Sequence, residues 1–88
     1  MKFVMIYETD LEKLPLARLH FPDHRARLEE FRARGTLPMS GPLANPADGA
    51  IGIFTEKEAA EEFIAGGPFV TNGVVKKFSV LQWSEVLA

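Results

Sequence analysis

Two histidines occur in the sequence, and one of them, His24, stands where a proton-transfer group is useful. In the stretch "FPDHRARLEEF", Phe21, Leu28 and Phe31 recur at helical spacing, and His24 falls on their stripe. An unperturbed imidazole titrates near pH ~6.5, so it can take or give a proton under cellular conditions. To do so productively it needs a partner that fixes its tautomer. The plain structural alternative is a half-buried histidine bonded to a backbone carbonyl, or one that merely flanks the core. Glu8, Asp10 and Ser40 are candidate partners. Asp23 is adjacent in sequence, but neighbours on a helix point about 100° apart, so it serves better as an N-terminal charge.

Other residues offer binding chemistry. Ser40 precedes Gly41 and Pro42, and a glycine there lets a ligand approach the backbone; the alternative is a β-bulge that bends the strand. In "GGPFV", Pro68 and Phe69 either border a set of free amides at a helix end or form a helix stop with Phe69 packed beneath. Tyr7 either offers its hydroxyl to a ligand or is a core residue with a wet hydroxyl. His20 and His24 make a two-histidine metal pair only if one helix runs through Pro22, and no third ligand is evident. No metal and no cofactor is therefore expected. Arg25, Arg27, Glu29, Glu30, Lys57 and Glu61 read as solvated helix faces, with Glu30 and Arg34 as an i,i+4 pair.

These residues must be positioned by a few short elements. "KFVMIY" (Lys2 to Tyr7) reads as a strand that is apolar on both faces, with Phe3, Met5 and Tyr7 on one and Val4 and Ile6 on the other. Such a strand sits centrally. The stretch from Asp10 to Phe21 has helical spacing but contains Pro15, and reads as a helical turn plus linker or an irregular loop. Pro22 fits the first position of a helix that runs to about Arg34, with Gly35 as its stop. Thr36 to Leu43 reads as an edge strand because of Pro38. "ANPADG" is a turn leading into a strand from Ala50 to Thr55. Thr55 and Glu58 form a capping box for a helix from Glu56 to about Ala65. That helix buries Ala59, Ala60, Phe63 and Ile64 and is ended by Gly66, Gly67 and Pro68. "FVTNG" reads as a loop, and Val74 to Trp83 as the last strand, with Phe78 and Val80 opposed to Ser79, Leu81 and Trp83.

The chain has 88 residues, 47% of them apolar and 25% charged, with a net charge of −2 and no cysteine. One small globular domain over residues 1–88 is expected, with a core that is marginal on its own. The slight acidity and lack of a basic patch argue against nucleic acid. The longest apolar run is too short for a membrane span, and no signal-peptide layout opens the chain. The absence of thiols fits a cytoplasmic location.

The order βαββαβ implies an α+β, ferredoxin-like, four-stranded antiparallel sheet with both helices on one face. The other face keeps large apolar side chains, which marks an interface. A homodimer packed sheet to sheet is the expectation.

Three segments carry a family resemblance. "HRARLEEFRARG" is similar to a helix of the form H-x-x-x-L closed by glycine, "MSGPL" to an A-G-P-hydrophobic strand, and "GGPFVTNGVVKKFSVLQW" to a D-P-[FY]-x-x-A-G-V segment with its final strand. In that order, over nearly the whole chain, they resemble the YCII family (YciI-like proteins), small dimeric α/β-barrel proteins. The resemblance implies a His–Asp acid/base pair in a pocket between helix and sheet, acting on small cyclic or aromatic metabolites. His24 matches the histidine. The aspartate does not carry over, because Gly67 stands in its place before Pro68. The expectation is thus proton transfer by His24 in an isomerase, lyase or hydrolase reaction, with Tyr7, Ser40, Gly41, Pro42, Pro68 and Phe69 as ligand contacts. A non-catalytic ligand-binding or accessory dimerisation module is the alternative.

Overall fold

A computed structural model describes residues 1–88. Four strands, β1 (Lys2–Thr9), β2 (Met39–Pro42), β3 (Ala50–Phe54) and β4 (Val75–Trp83), form one antiparallel sheet in the order β2-β3-β1-β4. This is the ferredoxin-like arrangement, with the doubly apolar β1 in the interior and the proline-flanked β2 at an edge. The β2–β3 register is regular from Met39 opposite Ile53 to Pro42 opposite Ala50, so Gly41 is not a bulge. The sheet's one irregularity lies where β1 meets β4, between Glu8 and Thr9. At the β2–β3 connection, Asn45 caps a tight turn by accepting from the Ala47 amide at 3.1 Å. Gly49 follows with φ 122°, and a β-carbon there would overlap the Tyr7 carbonyl. Only glycine lets the turn lie so closely on the end of β1.

The first helix differs from the sequence expectation. α1 spans Leu14–Ala33, takes Pro15 into its first turn and carries Pro22 in its interior. Before it, Asp10 caps a 3-10 turn over Leu11–Lys13. Pro22 lacks the amide that would bond the carbonyl four residues back, which normally ends a helix. Here aromatic packing overrides that preference. The residues flanking Pro22 are held together, with the Phe21 and His24 rings 6.4 Å apart, and His24 is stacked on Phe69.

Two other local expectations are corrected. Thr55 does not cap α2 (Lys57–Gly66): the N-cap is Glu56, without a side-chain cap bond. The Thr55 amide instead donates to the Thr36 carbonyl at 3.0 Å, which continues the strand and sets Thr55 one residue too early. "FVTNG" is not a plain loop. Pro68–Thr71 forms a short helix, α3, with Pro68 in its first turn. Asn72 Nδ2 closes it by donating to the Pro68 carbonyl at 2.8 Å.

The core lies between the sheet and the helices. Met5, Tyr7, Phe31, Leu37, Phe54, Ala59, Ala60, Phe63 and Ile64 form one buried cluster. Phe31, Phe54 and Phe63 at its centre meet as aromatic pairs with centroids 5.2–6.4 Å apart, a spacing at which edge-to-face contact is favourable. The opposite face of the sheet is uncovered. Met39, Ile53, Val4 and Leu81 pair in register across all four strands, and Met39 and Leu81 are 68% and 55% exposed. No helix is long and apolar enough to cross a membrane.

Candidate active site

α1 changes environment along its length. Phe31 is fully buried, Leu28 and His24 are half-buried, and Phe21 is half exposed. His24 thus sits where the apolar stripe leaves the core. Its imidazole stacks on Phe69 of α3 with centroids 3.9 Å apart and planes 9° apart. Phe63 meets it edge-on at 6.2 Å. These apolar rings disfavour the charged form, and burial lowers the His24 pKa from 6.5 to about 4. Burial is the only cause; no hydrogen bond and no neighbouring carboxylate contributes. The imidazole is neutral at pH 7.

None of the carboxylates considered as its partners bonds to it, and two of them are engaged elsewhere. Asp10 accepts from the Glu12 amide at 3.1 Å. Glu8 lies beside Lys77 at 3.9 Å. Asp23 borders a groove of about 340 Å³ together with Ala26, Arg27, Glu30, Gly66 and Pro68. Continuity of α1 does bring His20 and His24 one turn apart, yet no group of three His, Asp or Glu side chains stands where it could hold a metal ion.

Tyr7, on the helix side of β1, is 3% exposed, and its hydroxyl is buried without a hydrogen-bond partner. It stands 3.5 Å from the point where a β-carbon on Gly67 would sit. Burial raises its pKa further above the ordinary value, while the charge of Arg27 acts in the opposite sense. Tyr7 at Gly67 and His24 on Phe69 thus lie against the two ends of the segment that joins α2 to α3, with Pro68 between them in sequence. Ser40, Gly41 and Pro42 do not join them. They lie on edge strand β2, with β3 between them and β1, roughly 10 Å from β1 at two strand spacings.

Arg27 is a residue that the sequence reading assigned to solvent. Its Nε donates to the Phe63 carbonyl at 3.2 Å and its Nη2 to the Glu62 carbonyl at 2.8 Å. It thereby satisfies two C-terminal carbonyls of α2, where a cation is favoured. The guanidinium also lies 5.0 Å from the Phe31 ring centroid, a cation–π distance. The signal was present: Arg27 stands three residues after His24 and four before Phe31, on the inward side of the helix. Arg27 thus ties α1 to the end of α2.

The YCII-related domain family matches residues 1–84. No curated protein matches the sequence. Among solved structures, the chain is similar to 5-chloro-2-hydroxyhydroquinone dehydrochlorinase (TftG) from Burkholderia phenoliruptrix AC1100, in complex with 2,5-dihydroxybenzoquinone. The two are 20% identical, with a TM-score of 0.80, over 96% of this chain and 94% of that one. At that identity the likeness is one of fold. With the family match spanning nearly all of its length, the chain belongs to the YCII-related domain family.

Proposed function

We propose that the chain is a small-metabolite enzyme in which His24 acts as a general base on a hydroxylated ring compound. The observation that carries this reading is the half-buried imidazole held flat on Phe69. With a pKa of about 4 it is in the base form at neutral pH, and the imidazolium needed for general-acid work is scarce there. A base this weak is mismatched to carbon acids. It suits hydroxyl protons made acidic by ring oxygens or halogens. The stacked rings of His24 and Phe69 give a planar ligand an apolar edge to settle against. The structural neighbour named for a chlorinated hydroxyhydroquinone indicates the compounds to try first. Removal of the ring-hydroxyl proton would start an isomerisation or the elimination of a leaving group.

The working unit in this reading is a homodimer. The row Met39, Ile53, Val4 and Leu81 leaves apolar surface open across the whole sheet. On the same face, an apolar groove of about 340 Å³ is lined by three of these residues, Val4, Ile53 and Leu81, together with Ile51, Gln82 and Trp83. A second copy laid face to face would cover both and enlarge a core that is small for one chain. Sedimentation equilibrium at micromolar concentration should give twice the chain mass; a monomer would refute this part.

A second reading is favoured by one observation. Gly67 supplies no carboxylate beside Tyr7, and a site without it can bind without turning over. Incubation with chlorinated and hydroxylated hydroquinones, followed by absorbance, separates the two. Turnover that falls at least ~100-fold in His24→Gln supports the base. Binding without turnover supports the module, and equal turnover in both proteins removes His24 from the chemistry.

A further inference from the structure

Asn72 and Gly73 stand where α3 ends, and the pair carries a chemistry of its own. An asparagine side chain followed by glycine is open to attack by the backbone nitrogen of the next residue. Asn72 Cγ then bonds to the Gly73 nitrogen in a five-membered imide, and the side-chain nitrogen leaves as ammonia. Water opens the imide at either carbonyl, giving aspartate or isoaspartate. The net change is hydrolysis of the side-chain amide, with no oxidant or reductant. Gly73 offers little steric resistance, since nothing lies within 4 Å of where its β-carbon would be. The chain's other asparagine, Asn45, precedes Pro46, whose nitrogen carries no proton to give up.

The fold holds the two reacting groups apart. The end of α3 is a Schellman arrangement, in which Gly73, at φ 76°, donates to the Val70 carbonyl at 3.2 Å and the Val74 amide donates to the Phe69 carbonyl at 2.9 Å. The attacking nitrogen is therefore engaged. Asn72 Nδ2 is engaged too, on the Pro68 carbonyl. Asn72 has φ −104° and ψ 9°, which turns the Gly73 nitrogen away from the Asn72 side chain. That peptide must rotate before the ring can close. Yet α3 is only four residues long, and Asn72 and Gly73 are exposed. Short exposed elements open locally far more often than the whole fold unfolds.

We propose that Asn72 is a self-modification site, gated by the opening of α3, whose conversion to aspartate or isoaspartate releases Phe69 from His24. In either product the Nδ2 donor is replaced by a carboxylate oxygen that faces the Pro68 carbonyl, acceptor against acceptor. Isoaspartate also inserts a methylene into the backbone between the carbonyls of α3 and the amides that close on them. Phe69 belongs to that closure through its carbonyl, and its ring is the one stacked on His24 at 3.9 Å. The change runs one way, so the cover on the imidazole loosens with the age of the molecule. It does so whether or not His24 acts as a base.

Prolonged incubation in mildly alkaline buffer, with and without urea, followed by peptide mapping, tests the site. Acid and isoacid products should accumulate at position 72 and not at 45, at least ~tenfold faster in urea than in the folded protein. Equal rates overturn the gating. A folded protein whose Asn72 stays intact while the urea sample converts overturns the site itself. Isomerisation at Asp48, which also precedes a glycine, is told apart because it leaves the peptide mass unchanged. His24 imidazole signals, followed by NMR in the same folded samples, should move as conversion proceeds. Asn72→Gln, with a longer side chain that closes the ring poorly, should keep both its amide and its imidazole signals. Unmoved signals in converted wild type, or equal movement in Asn72→Gln, overturn the release of Phe69.

Discussion

Arg27 and Gly66 fit as a side chain and the space left for it. A β-carbon on Gly66 would stand 2.7 Å from Arg27 Nη2, the atom that bonds the Glu62 carbonyl. Either change should therefore cut the same tie between α1 and α2.

The two substitutions should be coupled. Arg27→Ala should cost about 1–3 kcal/mol, since it leaves two helix-end carbonyls without their charged donor. Gly66→Ala should cost less by itself and little more on the Arg27→Ala background. Urea denaturation of the four proteins of the cycle measures this; additive losses would mean the contact is incidental. Arg27→Lys should not restore stability, because an ammonium lacks the two-pronged donor geometry.

His24 makes stability depend on pH. The unfolded chain takes up a proton near pH 6.5, whereas the folded chain resists until about pH 4. The folded state is thus favoured in full above pH 6.5, loses that advantage as pH falls towards 4, and loses no more from this group below it. Melting temperatures between pH 7 and 4 should fall less steeply in His24→Gln than in the wild type.

Phe69 keeps water from one face of the imidazole. Phe69→Ala should raise the His24 pKa from about 4 towards 6.5. Imidazole proton shifts followed by NMR titration read this directly. No movement would mean that Phe63 and the body of α1 supply the burial.

Leu81 lies in the apolar row on the open face and is 55% exposed. Leu81→Arg should convert the proposed dimer to monomer in sedimentation while far-UV circular dichroism stays unchanged. In Gly67→Asp, a β-carbon 2.9 Å from the Phe63 carbonyl should destabilise the fold by about 1–3 kcal/mol, as measured by urea midpoint.

Much of the architecture is legible where one strong pattern acts alone. The doubly apolar β1, the burial of Ala59, Ala60, Phe63 and Ile64, and the edge position next to Pro38 all follow from side-chain type and period. The departures occur where tertiary contacts outweigh a local rule. Pro22 stays helical because its neighbours are held in an aromatic cluster. Thr55 gives up its cap for a bond to Thr36, which is distant in sequence. For the site, helical spacing identifies His24 and alternation identifies Tyr7. The stack on Phe69 requires knowing that Pro68 begins a new helix. Arg27 is missed because arginine type was weighed above its place on the stripe.

The prolines around β2 bear on how the protein avoids uncontrolled assembly. The strand is only the four residues Met39–Pro42, and Pro42 at its end and Pro38 just before it both lack an amide to offer an incoming strand. The opposite edge, β4, carries Lys76 and Lys77 beside its irregular register. Short, proline-bounded and charged edges discourage lateral strand addition. A chain that exposes an unbroken apolar row on its face is thus hindered from growing into fibrils along its edges, which leaves that face as the place where the proposed pairing would occur.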